Sequence, residues 1–129
     1  IDQCVGAINA GLTLNQLLHT VKIPDQTQRT YLNSSYDDPR FIVANMWRRY
    51  AGWWDQDPAH LLPADHVQLA QRICEAAGGA PRLAQKALEV MDKDIATATQ
   101  LVEYAGAAAP GDAAVHEIRA QVYRRRKEA

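Results

Sequence analysis

The sequence predicts an all-α chain, and three observations predict it. Apolar residues recur at three- and four-residue steps in every strongly periodic segment. No stretch shows the two-residue alternation or β-branched enrichment of strands. Helix-start residues (Thr13, Asp38-Pro39, Asp65, Asp112) and helix-stop glycines (Gly11, Gly52, Gly78-Gly79) punctuate the chain at helical lengths.

Each element has its own signal. Val5, Ile8 and Leu12 place a first helix over Ile1 to Leu12, ending near Gly11. Thr13 can cap a second short helix with Leu14, Leu17, Leu18 and Val21 on one face, closed by Pro24. Asp25 to Asp38 is polar and aperiodic, with Tyr31, Leu32 and Tyr36 as isolated anchors. It reads as a long irregular connection, and such connections are usually functional or wrap a neighbour. Asp38-Pro39 opens a helix that stops near Gly52. Phe41, Ile42, Met46 and Tyr50 are one possible stripe on it, with Val43 and Trp47 beside them. Trp53 to Pro58 is a turn-rich corner, and Asp57-Pro58 can start a brief turn.

Asp65 can cap the next helix, whose apolar face is Val67, Leu69, Ala70, Ile73, Cys74 and Ala77, with Gly78-Gly79 as its stop. Pro81 opens another, with Leu83, Ala87, Leu88 and Val90 periodic. The turn at 91–94 leads to a helix from Ile95 to Ala108 carrying Ala98, Leu101, Val102 and Ala105. Asp112 caps the last helix, with Val115, Ile118, Ala120, Val122 and Tyr123. That helix frays into Arg124-Arg125-Arg126-Lys127. Two helices joined by a tight turn, with Ala87, Ala98 and Ala105 at contact positions, give the second half a tetratricopeptide-like hairpin form. Only about one and a half such units fit, so the hairpin is expected to lean on the first half or on a partner.

Composition bounds the function. The chain has 129 residues, 47% hydrophobic and 22% charged, which fits one packed domain, 1–129. Its 14 basic and 15 acidic residues leave a formal charge of −1, without the Lys/Arg surplus of a nucleic-acid binder. No run of about 18 apolar residues could span a membrane. The first residues lack the basic start and long apolar stretch of a signal peptide. There is no starting Met, as expected of a piece cut from a longer chain. Cys4 and Cys74 lie in apolar helical contexts and read as buried thiols.

Candidate chemistry is sparse. His19, His60, His66 and His116 form no HxH, HxxxH or HExxH pattern, so no metal ligand set is expected. Gly78-Gly79 follows a helix, not a strand, and is a helix stop rather than a phosphate loop. Ser34-Ser35 has no His nearby to act as base. Asp37-Asp38 and Asp55/Asp57 read as caps and turn formers. No catalytic or cofactor-binding residue is assigned. The basic C-terminal end complements the helix dipole. The aromatic segment stands apart: all three tryptophans fall within eight residues, beside Arg48-Arg49 and Tyr50. Trp, Tyr and Arg are the residues most enriched at interface hot spots. Tyr36, Phe41, Trp47, Arg48, Tyr50, Trp53 and Trp54 are therefore the candidate partner-contact residues.

Tyr36-Asp37-Asp38-Pro39-Arg40-Phe41, continued by Asn45 through Asp55 to Asp57-Pro58, resembles the signature of the alkyl sulfatase dimerisation domain. Leu62-Pro63-Ala64, Ala77-Gly78-Gly79, Ala108 to Asp112, Val115-His116 and Arg119 to Tyr123 also match, as do Asn9 to Leu14 and Ile23-Pro24. The resemblance implies an all-helical fold whose partners are a second copy (a homodimer) and a metallo-β-lactamase-fold catalytic domain of the same protein. It implies a parent that hydrolyses alkyl sulfate esters with two zinc ions and a metal-activated water. The HxHxDH motif of that chemistry is absent from this sequence, as is the sterol-carrier-like domain of some relatives. The chain departs from the family at Gln56 and Asp57, where many relatives carry glycine and asparagine. It departs again at Phe41 and Ile42, where some relatives carry a His-Asn pair. Bacterial cytoplasm and periplasm are both open. A stand-alone tetratricopeptide-like scaffold that binds a peptide is the alternative, though alanines line the expected groove where clamping polar residues would be needed.

Overall fold

The computed structural model describes residues 1–22 and 38–128. The expected connection from Asp25 to Asp38 lies, up to Asp38 itself, outside the described residues, as do Pro24 and Tyr36. Every described helix has a cause visible in the chain, and there is no strand among the described residues. Contacts divide the chain into two compact units, 1–63 and 64–129.

In the first unit, α1 (Asp2–Asn9) ends before Gly11, which takes a φ of 79°. Helix α2 (Leu14–Thr20) begins with a reciprocal capping box. The Thr13 hydroxyl accepts from Gln16 N–H at 3.2 Å, and the Gln16 side chain accepts from Thr13 N–H at 2.9 Å. Helix α3 (Pro39–Tyr50) starts as the sequence predicts. Asp38 accepts from the Arg40 N–H at 2.8 Å, and Pro39 needs no partner for a missing N–H. The three helices enclose Cys4, Leu17, Val43 and Trp47. Burying the Trp47 side chain removes an area worth about 4–6 kcal/mol before ordering entropy is subtracted.

The possible stripe of Phe41, Ile42, Met46 and Tyr50 does not form the core face of α3. Phe41, Ile42 and Tyr50 are exposed, and the core face is Val43 and Trp47 with Met46 partly buried. Helix α3 is apolar on two faces, and α1 and α2 meet the Val43–Trp47 face.

In the second unit, α4 (His66–Ala77) is capped by Asp65, whose carboxylate accepts from Gln68 N–H at 3.0 Å. It ends at Gly78, whose φ of 92° suits a residue without a Cβ. Helix α5 (Ala80–Val90) begins directly after it, and Asp94 caps α6 (Ile95–Ala108) through Thr97 N–H at 2.9 Å. Asp112 caps α7 (Ala113–Glu128) through Ala114 and Val115 N–H. Helix α6 packs against α4, α5 and α7. Two clusters fill this unit: Cys74, Ala80, Leu83, Ala84, Ala105 and Val115, then Ala87, Ala98, Val102 and Val122. The alanines let the helix axes approach closely. Val67 and Leu69, expected on the core face of α4, are exposed. The buried face is Ala70 and Cys74, one turn apart. Both cysteines are free and buried, as the sequence predicts.

Candidate functional site

The chain leaves α3 through Gly52, whose φ of 95° turns it sharply. It then forms a corner held by side chains bonded to its own backbone. The Trp47 indole N–H donates to the Trp54 carbonyl at 3.0 Å. The Trp54 indole N–H donates to the Asp57 carbonyl at 3.1 Å. The Asp55 carboxylate accepts from Asp57 N–H at 3.0 Å, and that of Asp57 accepts from Ala59 N–H at 3.0 Å. The second of these caps a 3-10 turn, Pro58–Leu61, the brief turn that Asp57-Pro58 predicts. The Asp55 carbonyl accepts from Leu14 N–H at 3.1 Å, tying the corner to the start of α2. Gln56 sits at a φ of 66°, a left-handed conformation that is strained for a side chain with a Cβ.

His60 adds a pairing that the spacing of the histidines did not reveal. Its Nδ1 lies 2.5 Å from Asp55 Oδ2, and its Nε2 lies 3.9 Å from Asp57 Oδ2. The hydrogen bond to Asp55 holds the imidazole above its ordinary pKa, with the Asp55 and Asp57 charges adding and burial opposing. The same bond, then that from Asp57 N–H, holds the Asp55 carboxyl below the usual range. The signal for this pairing is the run Asp55-Gln56-Asp57-Pro58-Ala59-His60. Two turn-forming carboxylates precede a proline turn that folds a histidine back over them.

The aromatic candidates separate by role. Trp47 is 1% exposed and belongs to the core, while Trp54 is half-buried in the corner network. Trp53 is 82% exposed, and Phe41, Ile42 and Tyr50 are more than half exposed. Arg48 is exposed, and Tyr36 lies outside the described residues. A cavity of about 380 Å³ beside the corner is lined by Thr13, Leu14, Leu18, Gln56 and Pro58 among others.

In the second unit, Arg119 and Tyr123 of α7 converge on Glu103 of α6. Arg119 makes a two-pronged bond at 2.7 and 3.1 Å, and the Tyr123 hydroxyl donates at 2.9 Å. Burial pushes the Glu103 carboxyl up, but the bonds from Arg119 and Tyr123 outweigh it and hold the group below its ordinary pKa. This cluster joins α6 to α7. Among the described residues, no three His, Cys, Asp or Glu side chains converge to hold a metal ion. No described helix is long and apolar enough to cross a membrane.

Residues 13–129 match the family model described as alkyl sulfatase dimerisation. The chain is 30% identical over 127 residues to a linear primary-alkylsulfatase of a Pseudomonas strain, covering 96% of this chain and 24% of that protein. It is 33% identical over 103 residues to an (R)-specific secondary-alkylsulfatase of Pseudomonas sp., covering 78% of this chain and 16% of that protein. A solved structure, that of the stereoselective inverting sec-alkylsulfatase Pisa1 from Pseudomonas sp., superposes with a TM-score of 0.82 at 29% identity. The match covers 96% of this chain and 20% of that one. The chain therefore spans about a quarter or less of the length of these relatives.

Proposed function

From a chain that belongs to the alkyl sulfatase dimerisation family, we propose a helical dimerisation domain, itself non-catalytic, carried by a hydrolase of alkyl sulfate esters. Its partners are a second copy of itself and the catalytic domain of the same protein, of metallo-β-lactamase fold. That domain would hold two zinc ions and supply a metal-activated water for ester hydrolysis. The sequence here offers no HxHxDH motif to bind them. The tetratricopeptide-like form of the second unit belongs to the same reading.

One observation carries the proposal. Phe41, Ile42, Tyr50 and Trp53 stand exposed on one helix and its adjoining corner, while the core of that unit is filled by other residues. Large apolar side chains left exposed on a folded unit support a reading of partner contact there. Tyr50 and Trp53, at the end of the helix and in the corner, are of the aromatic types that dominate hot spots. Trp47 and Trp54 have a supporting role: they fix the backbone from which Trp53 projects. Sedimentation velocity of the chain over a concentration series tests this. A dimer is expected, and replacement of Trp53 by Ala should shift it toward monomer.

A further inference from the structure

The corner holds one feature that self-association does not require. Asp55, Asp57 and His60 meet in a single turn, and each is also bonded to backbone that shapes the corner. The Asp55 carbonyl anchors Leu14 of α2, and the Asp57 carbonyl accepts from the Trp54 indole and from His60 N–H. Both carboxylates face the same imidazole, on opposite nitrogens.

The ring's protonation state decides whether both contacts are favourable. As an imidazolium, His60 is a donor at both nitrogens and serves Asp55 and Asp57 together. As a neutral ring it carries one N–H and one lone pair. If the proton is on Nδ1, the lone pair of Nε2 faces the Asp57 carboxylate. If it is on Nε2, the lone pair of Nδ1 faces Asp55 Oδ2 at 2.5 Å. Either tautomer sets a lone pair against a carboxylate. Loss of the proton also leaves two like charges in one turn, next to the strained Gln56.

We propose that His60 is a proton-operated latch on the aromatic corner. Protonated, it bridges Asp55 and Asp57 and holds the turn. Neutral, it loosens the turn and with it the Trp54 indole bond to Asp57. Among the described residues, no other charge acts on His60. On the α2 side, the adjoining cavity contributes Thr13, Leu14, Asn15 and Leu18, none of which titrates. The sign comes from the raised imidazole pKa. The latch is fully closed below the ordinary histidine value and opens as pH rises through the folded value. At the acidic end it is limited by protonation of Asp55, whose pKa is lowered. The latch governs how Trp53 is presented. A pH dependence of dimerisation is the consequence, and that consequence alone rests on the proposed function.

Trp53 and Trp54 lie in this corner and the Trp47 indole N–H bonds to it, so indole signals report on it directly. The test is nuclear magnetic resonance of the full chain across pH. It tracks the His60 ring protons and the hydrogen exchange of the Trp54 indole N–H, corrected for base catalysis. His60 should titrate above about 6.5. Indole exchange should speed up by about two- to fivefold through the same midpoint, the scale of an exposed ion pair. His60→Asn keeps an N–H toward Asp55 but cannot titrate, so its corrected exchange should be flat. Asp57→Asn should lower the His60 midpoint and supplies a second variant if the first folds poorly. Superimposable corrected profiles in wild type and His60→Asn would overturn the latch, as would a His60 midpoint at or below the ordinary value. Sedimentation across the same range separates the two claims. A monomer whose indole exchange still tracks His60 supports the latch and counts against self-association.

Discussion

The indole N–H of Trp47 donates to the main-chain oxygen of Trp54 across 3.0 Å, joining a buried helix residue to a surface corner. The ring is 1% exposed and packs with Cys4, Leu17 and Val43. Core packing and corner geometry are therefore set by one side chain. An aromatic ring without the N–H would keep most of the first and lose the second.

Trp47→Phe should destabilise the first unit by about 1.5–3 kcal/mol. The Trp54 carbonyl loses its donor and a small void opens beside Cys4. Urea unfolding monitored by circular dichroism measures the difference. A loss below about 0.5 kcal/mol would show that the bond does not hold the corner.

Two left-handed positions should respond in opposite directions. Gly78→Ala should cost about 1–2 kcal/mol from backbone strain alone, since a Cβ there would meet Arg82 Cγ at an ordinary 3.7 Å. Gln56→Gly relieves strain at a φ of 66° but adds unfolded-state freedom, for a net gain of up to about 1 kcal/mol. Thermal unfolding of both variants checks the pair. A Gln56→Gly protein clearly less stable than wild type would mean that the Gln56 side chain makes a stabilising contact.

The Glu103–Arg119–Tyr123 cluster should make stability depend on acidity. Glu103 has a lowered pKa when folded, so its contribution is present above the unfolded value and is lost as pH falls through the folded value. Both partners are more than a third exposed, so screening limits the effect to about 0.5–1 kcal/mol. Wild type should exceed Glu103→Gln by that amount at neutral pH, and the gap should close in acid. Melting temperatures at several pH values test it, and a gap that persists in acid would place the effect elsewhere.

The caps explain why most of the fold was legible. Thr13, Asp38, Asp57, Asp65, Asp94 and Asp112 each bind a backbone N–H at a helix or turn start, and side-chain chemistry of that kind is local. The buried face of α3 was less legible. Phe41-Ile42-Val43 and Met46-Trp47 give a 12-residue helix two apolar faces, and only the neighbouring helices decide between them. Val67 and Leu69 on α4 illustrate the same point, since Ala70 and Cys74 are the buried positions and Cys74 packs with Ala80, Ala84 and Ala105. At the site, the aromatic segment was evident from composition. The His60 pairing was not, because a proline turn brings together residues five apart that no helical or strand period connects.

The most direct test of dimerisation through the exposed aromatic face is sedimentation velocity of wild type beside a Tyr50→Ala/Trp53→Ala double variant. Wild type should sediment as a dimer. The double variant should fold equally well by circular dichroism, with its dissociation constant raised at least about tenfold. A wild-type monomer at all concentrations, or a variant that dimerises as tightly as wild type, would contradict dimerisation through this face.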